Sequence, residues 1–195
     1  MQPLTRDDLL SLERYEAERE AFRRQVIGLK QARRISVGPR LTFLFENRIT
    51  VLFQVQEMLR AERITRPEAI RDELDVYNVL LPTERELSAT LFIEIDDVAQ
   101  IKPELDRFFG IDDPGHVWLQ VGPAERVVGL FEPGHSKEDK IAAVHYVRFA
   151  LTPDQRELLL RAKLPVSLVV EHGKYRHRTT LSSVMIDSLR GDLAA

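Results

Sequence analysis

Residues 45–63, FENRITVLFQVQEMLRAER, decide how the rest of the chain is read. Wound as a helix at about 100° per residue, they place Ile49, Val51, Leu52, Phe53, Val55, Met58 and Leu59 on one broad apolar arc. Glu46, Thr50, Gln54 and Glu57 gather on the opposite side, which is expected to face solvent, and Asn47 supplies the cap. Arg48, Gln56, Glu62 and Arg63 project from within the apolar arc. A buried charge is costly unless it is paired and hydrogen-bonded. These four are therefore expected either to form a structural polar network or to grip a protein partner or an anionic ligand. Arg48 and Arg63 also have a plainer reading, in which they pair with acids elsewhere, such as Asp75, and snorkel out of apolar surroundings.

Outward from this helix the period changes. Ile35 and Val37 precede Gly38 and Pro39, and Leu41, Phe43 and Phe45 alternate with Thr42 and Leu44, the pattern of a short hairpin. Before it, Thr5 with Asp8 reads as a capping box that opens a helical stretch running, with a break, to about Arg33. After it, Thr65 with Glu68 reads as a second capping box, with Pro67 in the first turn. Beyond Pro82 the chain becomes strand-rich. Strands are predicted at 89–95, 117–121, 126–131 and 142–151, with a helix at 97–109 and a weak β-α-β-β order hinting at a ferredoxin-like piece. Residues 132–137 read as the most mobile loop. Thr152 caps a further helix, 166–172 and 175–181 form a hairpin about a Gly173-Lys174 type II′ turn, and 182–189 is helical. The fold expected is α+β: a helical N-terminal half packed on a mostly antiparallel β-sheet formed largely by the C-terminal half. Residues 1–195 are expected to be one domain, with 1–82 helix-rich plus a short hairpin and 83–195 sheet-rich and interlocked with it.

At 195 residues, with 44% hydrophobic and 30% charged residues, the chain can bury a sizeable core. A net charge of −3 argues against a globally electrostatic nucleic-acid binder. The absence of cysteine excludes disulfides, Cys-ligated zinc or iron–sulfur clusters, and a thiol nucleophile. No apolar run reaches the roughly 18 residues that span a bilayer, and the first residues lack a basic segment followed by an apolar one. No membrane association and a cytoplasmic location are the expectation.

Three constellations carry candidate chemistry besides the helix. The first is a basic block, Arg23, Arg24, Lys30, Arg33, Arg34 and Arg40, with no acidic residue between 21 and 40. It reads as a solvated face or a docking patch for an acidic protein. It lacks the interleaved aromatics of single-strand binders, so nucleic acid is disfavoured. The second is histidine. On the hairpin His172 pairs with Tyr175 and His177 with Val170, while His145 shares a strand face with Val147, Phe149 and Leu151. If His145, His172 and His177 converge, they form a three-nitrogen site for zinc or iron. The blander reading is hydrogen-bonded core or edge histidines. His116 and His135 read as surface residues. The third is the carboxylate pair Glu57 and Glu62. It fails as a di-iron site, because ferritin-like bundles need Glu-x-x-His on two helices and no histidine precedes His116. No G-x-S-x-G elbow, G-x-G-x-x-G loop or Walker A sequence occurs.

The run RRISVGPRLTFLFENRITVLFQVQEMLRAERI at 33–64 resembles the signature of the domain of unknown function 3501 family. LTRDDLLSLERYEAER at 4–19, LDVYN at 74–78 and AVHYVRFALTPDQ at 143–155 extend the resemblance over most of the chain. It carries no catalytic residues. It implies bacterial proteins encoded beside a rubrerythrin-like di-iron protein and an iron–sulfur protein, and so a role in oxidative stress or electron transfer. The expectation is a non-enzymatic accessory or assembly protein that contacts a rubrerythrin-like or iron–sulfur redox partner, with no cofactor favoured. The alternatives are a small His-ligated metalloenzyme or metal-binding protein and, after it, a nucleic-acid binder. Homo-oligomers are left open.

Overall fold

The computed structural model describes residues 1–133, 141–161 and 163–194. In chain order the elements are α1 (Leu12–Arg33), β1 (Arg34–Val37), β2 (Leu41–Phe45), α2 (Arg48–Ala61), α3 (Pro67–Asn78) and β3 (Glu86–Ile93). They continue with α4 (Ile101–Asp106), β4 (Val117–Val121), β5 (Glu125–Phe131), β6 (Val144–Ala150), α5 (Pro153–Arg161), β7 (Val166–His172), β8 (Tyr175–Thr180) and α6 (Ser183–Ala194). Single 3-10 turns at Arg6–Asp8 and Val98–Gln100 precede α1 and α4.

The eight strands form one sheet in the order β1-β2-β3-β6-β5-β4-β7-β8, and every neighbouring pair is antiparallel. The sheet curls until its two edges meet. There Thr179 Oγ1 donates to the Ser36 carbonyl at 2.8 Å and Tyr175 Oη donates to the Val37 carbonyl at 2.6 Å. No strand pairing joins β1 to β8 among the described residues, so side chains, not a backbone ladder, close this near-barrel. Such closure covers two edges that would otherwise expose unpaired N–H and C=O groups.

The inward positions of the strands make the core. Phe43, Phe45, Leu91, Leu119, Val147, Phe149, Leu168 and Val170 are fully buried, each worth roughly 1.5–3 kcal/mol of transfer free energy. Met185, Leu189 and Leu193 of α6 belong to the same cluster. A second apolar cluster joins Leu4, Val51, Val55, Leu59, Leu74, Leu80 and Leu81, where α2 and α3 pack with the N-terminal segment.

The α+β class holds, but its expected layout is corrected. The helices are interspersed with the strands, not gathered into an N-terminal layer on a C-terminal sheet. β1 and β2 come from the N-terminal half and lie at one edge of the common sheet, because Leu41–Phe45 pairs with β3. The ferredoxin-like piece is absent among the described residues: β3 and β4 are separated by β6 and β5.

The solvent-facing side assigned to α2 is also corrected. Glu46 is 1% and Thr50 0% exposed, the Glu46 carboxylate accepting from Thr90 of β3, and α1 packs on the same side further along at Glu57. Tyr15 Oη donates to Glu57 at 2.7 Å, and Arg19 reaches both oxygens of Glu57 at 2.7 Å. Those donors hold the Glu57 carboxyl down to about 2, with the Arg19 bonds the largest cause.

Asn47 caps α2 as predicted, accepting from the backbone N–H of Ile49 and Thr50 at 3.0 Å. Thr152 and Gln155 cap α5 reciprocally, at 3.2 and 3.1 Å. Thr65 does not cap α3, whose N-cap is Arg66 without a side-chain bond. The loop expected at 132–137 lies mostly outside the described residues. No helix among the described residues is long and apolar enough to cross a membrane.

Gly38, between β1 and β2, is the tightest point of the closure. Its φ is +74°, and a Cβ there would stand 2.5 Å from Tyr175 Oη and 2.6 Å from the His177 ring. Gly38→Ala is therefore expected to destabilise the fold by about 2 kcal/mol or more in urea unfolding; a change within about 0.5 kcal/mol would show that the edges do not meet at this point.

Candidate functional site

The closure of the sheet builds a cleft. The β1–β2 turn contributes Pro39 and Arg40, the end of α4 and the residues after it contribute Glu104, Arg107 and Phe108, and the β7–β8 hairpin contributes His172 through Tyr175 and His177. Together they line an open cleft of about 640 Å³, within the usual range for a small-molecule site.

Local sequence explains why the walls meet. Gly173 takes φ +54° while Lys174 keeps a negative φ, as a type II′ turn requires. The resulting register pairs His172 with Tyr175 and Val170 with His177. Tyr175 Oη accepts from the Arg40 backbone N–H at 3.2 Å while donating to Val37. One phenol thus fixes both the seam and one wall of the cleft, and burial pushes its pKa up, so it stays protonated.

Glu104 is the acid of the cleft. It bonds Arg107 at 2.7 Å and lies 3.6 Å from Arg40. Lys174 has no ion-pair partner among the described residues. His172 lies edge-on to His116, with ring centroids 4.8 Å apart, and stacks near Phe108 at 6.5 Å. Burial lowers the His172 pKa, and the His116 charge adds to the effect, so the imidazole is neutral at pH 7. Its Nδ1 is buried without a hydrogen-bond partner. His116 Nδ1 lies 2.8 Å from the Glu171 carbonyl. A ring nitrogen facing a carbonyl carries a proton.

The three histidines proposed as a metal site do not converge. His172 and His177 line the cleft. His145 is fully buried on β6 opposite Leu91, its Nε2 lies 2.8 Å from the Ala142 carbonyl, and β5 and β4 separate β6 from β7. No group of three or more His, Asp or Glu is placed to hold a metal ion among the described residues. His116, read as a surface residue, is instead the neighbour of His172, and His135 lies outside the described residues.

The other predicted residues scatter. Arg48 pairs with Asp8 at 2.7 Å and donates to the Gln2 carbonyl at 3.2 Å. Gln56 accepts from the Leu10 N–H at 2.6 Å. Glu62 is the C-cap of α2 and Arg63 follows with φ +53°, both exposed. Arg48 and Gln56 both hold the N-terminal segment, and no hydrogen bond or ion pair joins any two of the four among the described residues. The basic block divides too. Arg23 and Arg24 are exposed on α1, Lys30 lies 5.5 Å over the Phe53 ring, and Arg33 is buried. Arg34 pairs with Glu94 and lies over Phe92, while Arg40 faces the cleft. Sequence reasoning missed Glu104, Arg107, Phe108 and Lys174 as one group. Of these, only Lys174 carried a signal, the glycine turn EHGKYRH at 171–177; Glu104, Arg107 and Phe108 read simply as part of the helix expected at 97–109.

Fold and cleft define a class: an eight-stranded antiparallel near-barrel with interspersed helices and a polar, aromatic cleft at its seam. The chain belongs to the family described as protein of unknown function (DUF3501), which matches residues 3–193 and bears out the resemblance read at 33–64. It is similar to a solved structure described as a novel protein of unknown function from Burkholderia pseudomallei. The identity is 35% and the TM-score 0.90, over 98% of this chain and 100% of that one. No curated protein matches the chain.

The environment of His172 has a measurable consequence. The folded state lowers its midpoint, so the stability this group contributes is complete above the ordinary value of 6.5 and is lost as the pH falls through the folded midpoint. Histidine NMR titration is expected to place His172 below 6.5 and to move it upward in His116→Asn. An unshifted midpoint in both proteins would contradict the buried, His116-facing arrangement.

Proposed function

We propose that the protein acts by binding, and that the cleft at the barrel seam holds a small molecule. The observation that carries this reading is convergence. Three chain segments far apart in sequence, around residues 39, 106 and 174, bring a histidine whose pKa burial lowers, a tyrosine whose pKa burial raises, two arginines, a lysine and a carboxylate to one open cavity. Perturbed titratable groups in a concave site are the usual mark of a ligand site.

A contact role toward a rubrerythrin-like or iron–sulfur redox partner is a second reading, and one observation favours it. The segment that forms a cleft wall also leaves Val98, Ile101 and Phe109 exposed, at 82%, 40% and 49%. Large apolar side chains at the edge of a polar cleft are typical of a surface that meets another protein. On this reading the exposed Arg23 and Arg24 of the basic block remain available to the partner, whereas Arg33 is buried.

One set of amide NMR spectra tests both. A fragment library is expected to shift resonances at residues 38–40, 104–108 and 172–177 together. Added rubrerythrin-like protein is expected to broaden those of Val98, Ile101 and Phe109. Fragment shifts scattered over the surface would remove the ligand site, and unchanged spectra with the protein added would remove the contact role.

A further inference from the structure

We infer that the cleft selects planar aromatic anions. This rests on the cleft being a ligand site and adds the class of ligand. The first observation is the wall. Phe108, His172, Tyr175 and His177 all line the cavity. Tyr175 stands edge-on to Phe108 at 5.1 Å and lies 4.4 Å from His177, while His172 lies nearly parallel to Phe108. His172, Tyr175 and His177 are at least partly exposed above the buried Phe108, and offset or edge-to-face contacts of a flat guest with such rings add to the gain from burying its area.

The second observation is charge. The chain carries a net charge of −3, yet the cleft holds Arg40, Arg107 and Lys174 against Glu104 alone. The three lining cations outnumber the lining carboxylate, and Asp96, 3.9 Å from Arg40, offsets a second of them, which leaves Lys174 as the uncompensated cation. Glu104 is only 14% exposed and is spent on holding the two guanidiniums. Lys174, exposed at the tip of the hairpin and without an ion-pair partner among the described residues, is the cation available to a ligand. A positive cleft on an acidic protein concentrates anions locally.

Each part narrows the guest. A bare inorganic anion would leave the rings without a partner, a neutral aromatic would leave Lys174 unmatched, and an aromatic cation would be repelled. A ring system bearing a carboxylate or phosphate uses both features. Its ring would lie against His172 and Tyr175, over the Phe108 floor, with its anionic group toward Lys174 and the outer face of Arg107.

Calorimetric titration with four probes tests this: 2-naphthoate, 2-naphthamide, decalin-2-carboxylate and inorganic phosphate. The naphthoate is expected to bind at least about tenfold more tightly than each of the others. Lys174→Ala should weaken naphthoate binding by about tenfold, with a flatter salt dependence. That variant removes an exposed side chain without an ion-pair partner among the described residues, so the fold is retained. Amide binding equal to naphthoate binding, or an unchanged affinity in Lys174→Ala, overturns the anion selection while leaving the cleft a ligand site. Phosphate or the decalin acid binding as tightly overturns the aromatic selection in the same way. Binding of none of the four, together with fragment shifts that avoid the cleft, overturns both readings.

Discussion

The guanidinium of Arg33 is the contact on which the rest of the structure depends. It is fully buried at the point where α1 passes into β1. Its Nε donates to the Phe45 carbonyl at 2.8 Å, one terminal nitrogen donates to Ser188 Oγ at 2.6 Å, and the other bonds the Glu46 carbonyl at 3.0 Å and the Asp192 carboxylate. One side chain therefore ties the end of the longest helix to the end of β2, the start of α2 and the C-terminal helix. A buried cation survives only with such complete satisfaction. Burial pushes the Asp192 carboxyl up even with Arg33 beside it, so desolvation is the larger influence on that acid. The pair is better understood as a device that fixes one arrangement than as a large source of stability.

From that junction the order spreads in two directions. Glu46, held through its backbone by Arg33, accepts from Thr50 and from Thr90 with its carboxylate, which locks the first turn of α2 to β3. α6, held through Ser188 and Asp192, sets Met185, Leu189 and Leu193 against the barrel core. With β2 and α6 placed, β1 lies where β8 can meet it, and Tyr175 and Thr179 complete the seam. The cleft is a product of this closure, because one wall belongs to the first hairpin and the other to the last.

Local features were legible in the sequence. Asn47 and Thr152 declared their helix starts because capping needs only a short span of chain. The 166–180 hairpin declared its register because a two-residue turn with glycine first fixes the pairing. Long-range features were not. Tyr175 and Val37 are 138 residues apart, and no alternation pattern says which two edges of a sheet will meet. Glu46 and Thr50 were assigned to water because a helical wheel shows which residues share a side, not whether another element covers it. Arg33 read as one member of a basic run for the same reason: its side-chain partners lie on α6, 155 and 159 residues away. The histidine triad failed because His145 and His172 sit on strands that the crossover order keeps apart.

The central claim is that a buried ion pair joins the α1–β1 junction to the C-terminal helix, and a double-mutant cycle on Arg33 and Asp192 in urea unfolding at pH 7 tests it most directly. Arg33→Met and Asp192→Leu should each cost about 3–5 kcal/mol, since either leaves a buried charge uncompensated. The double variant should cost clearly less than their sum. Single variants within about 0.5 kcal/mol of wild type, or a strictly additive double variant, would contradict the account.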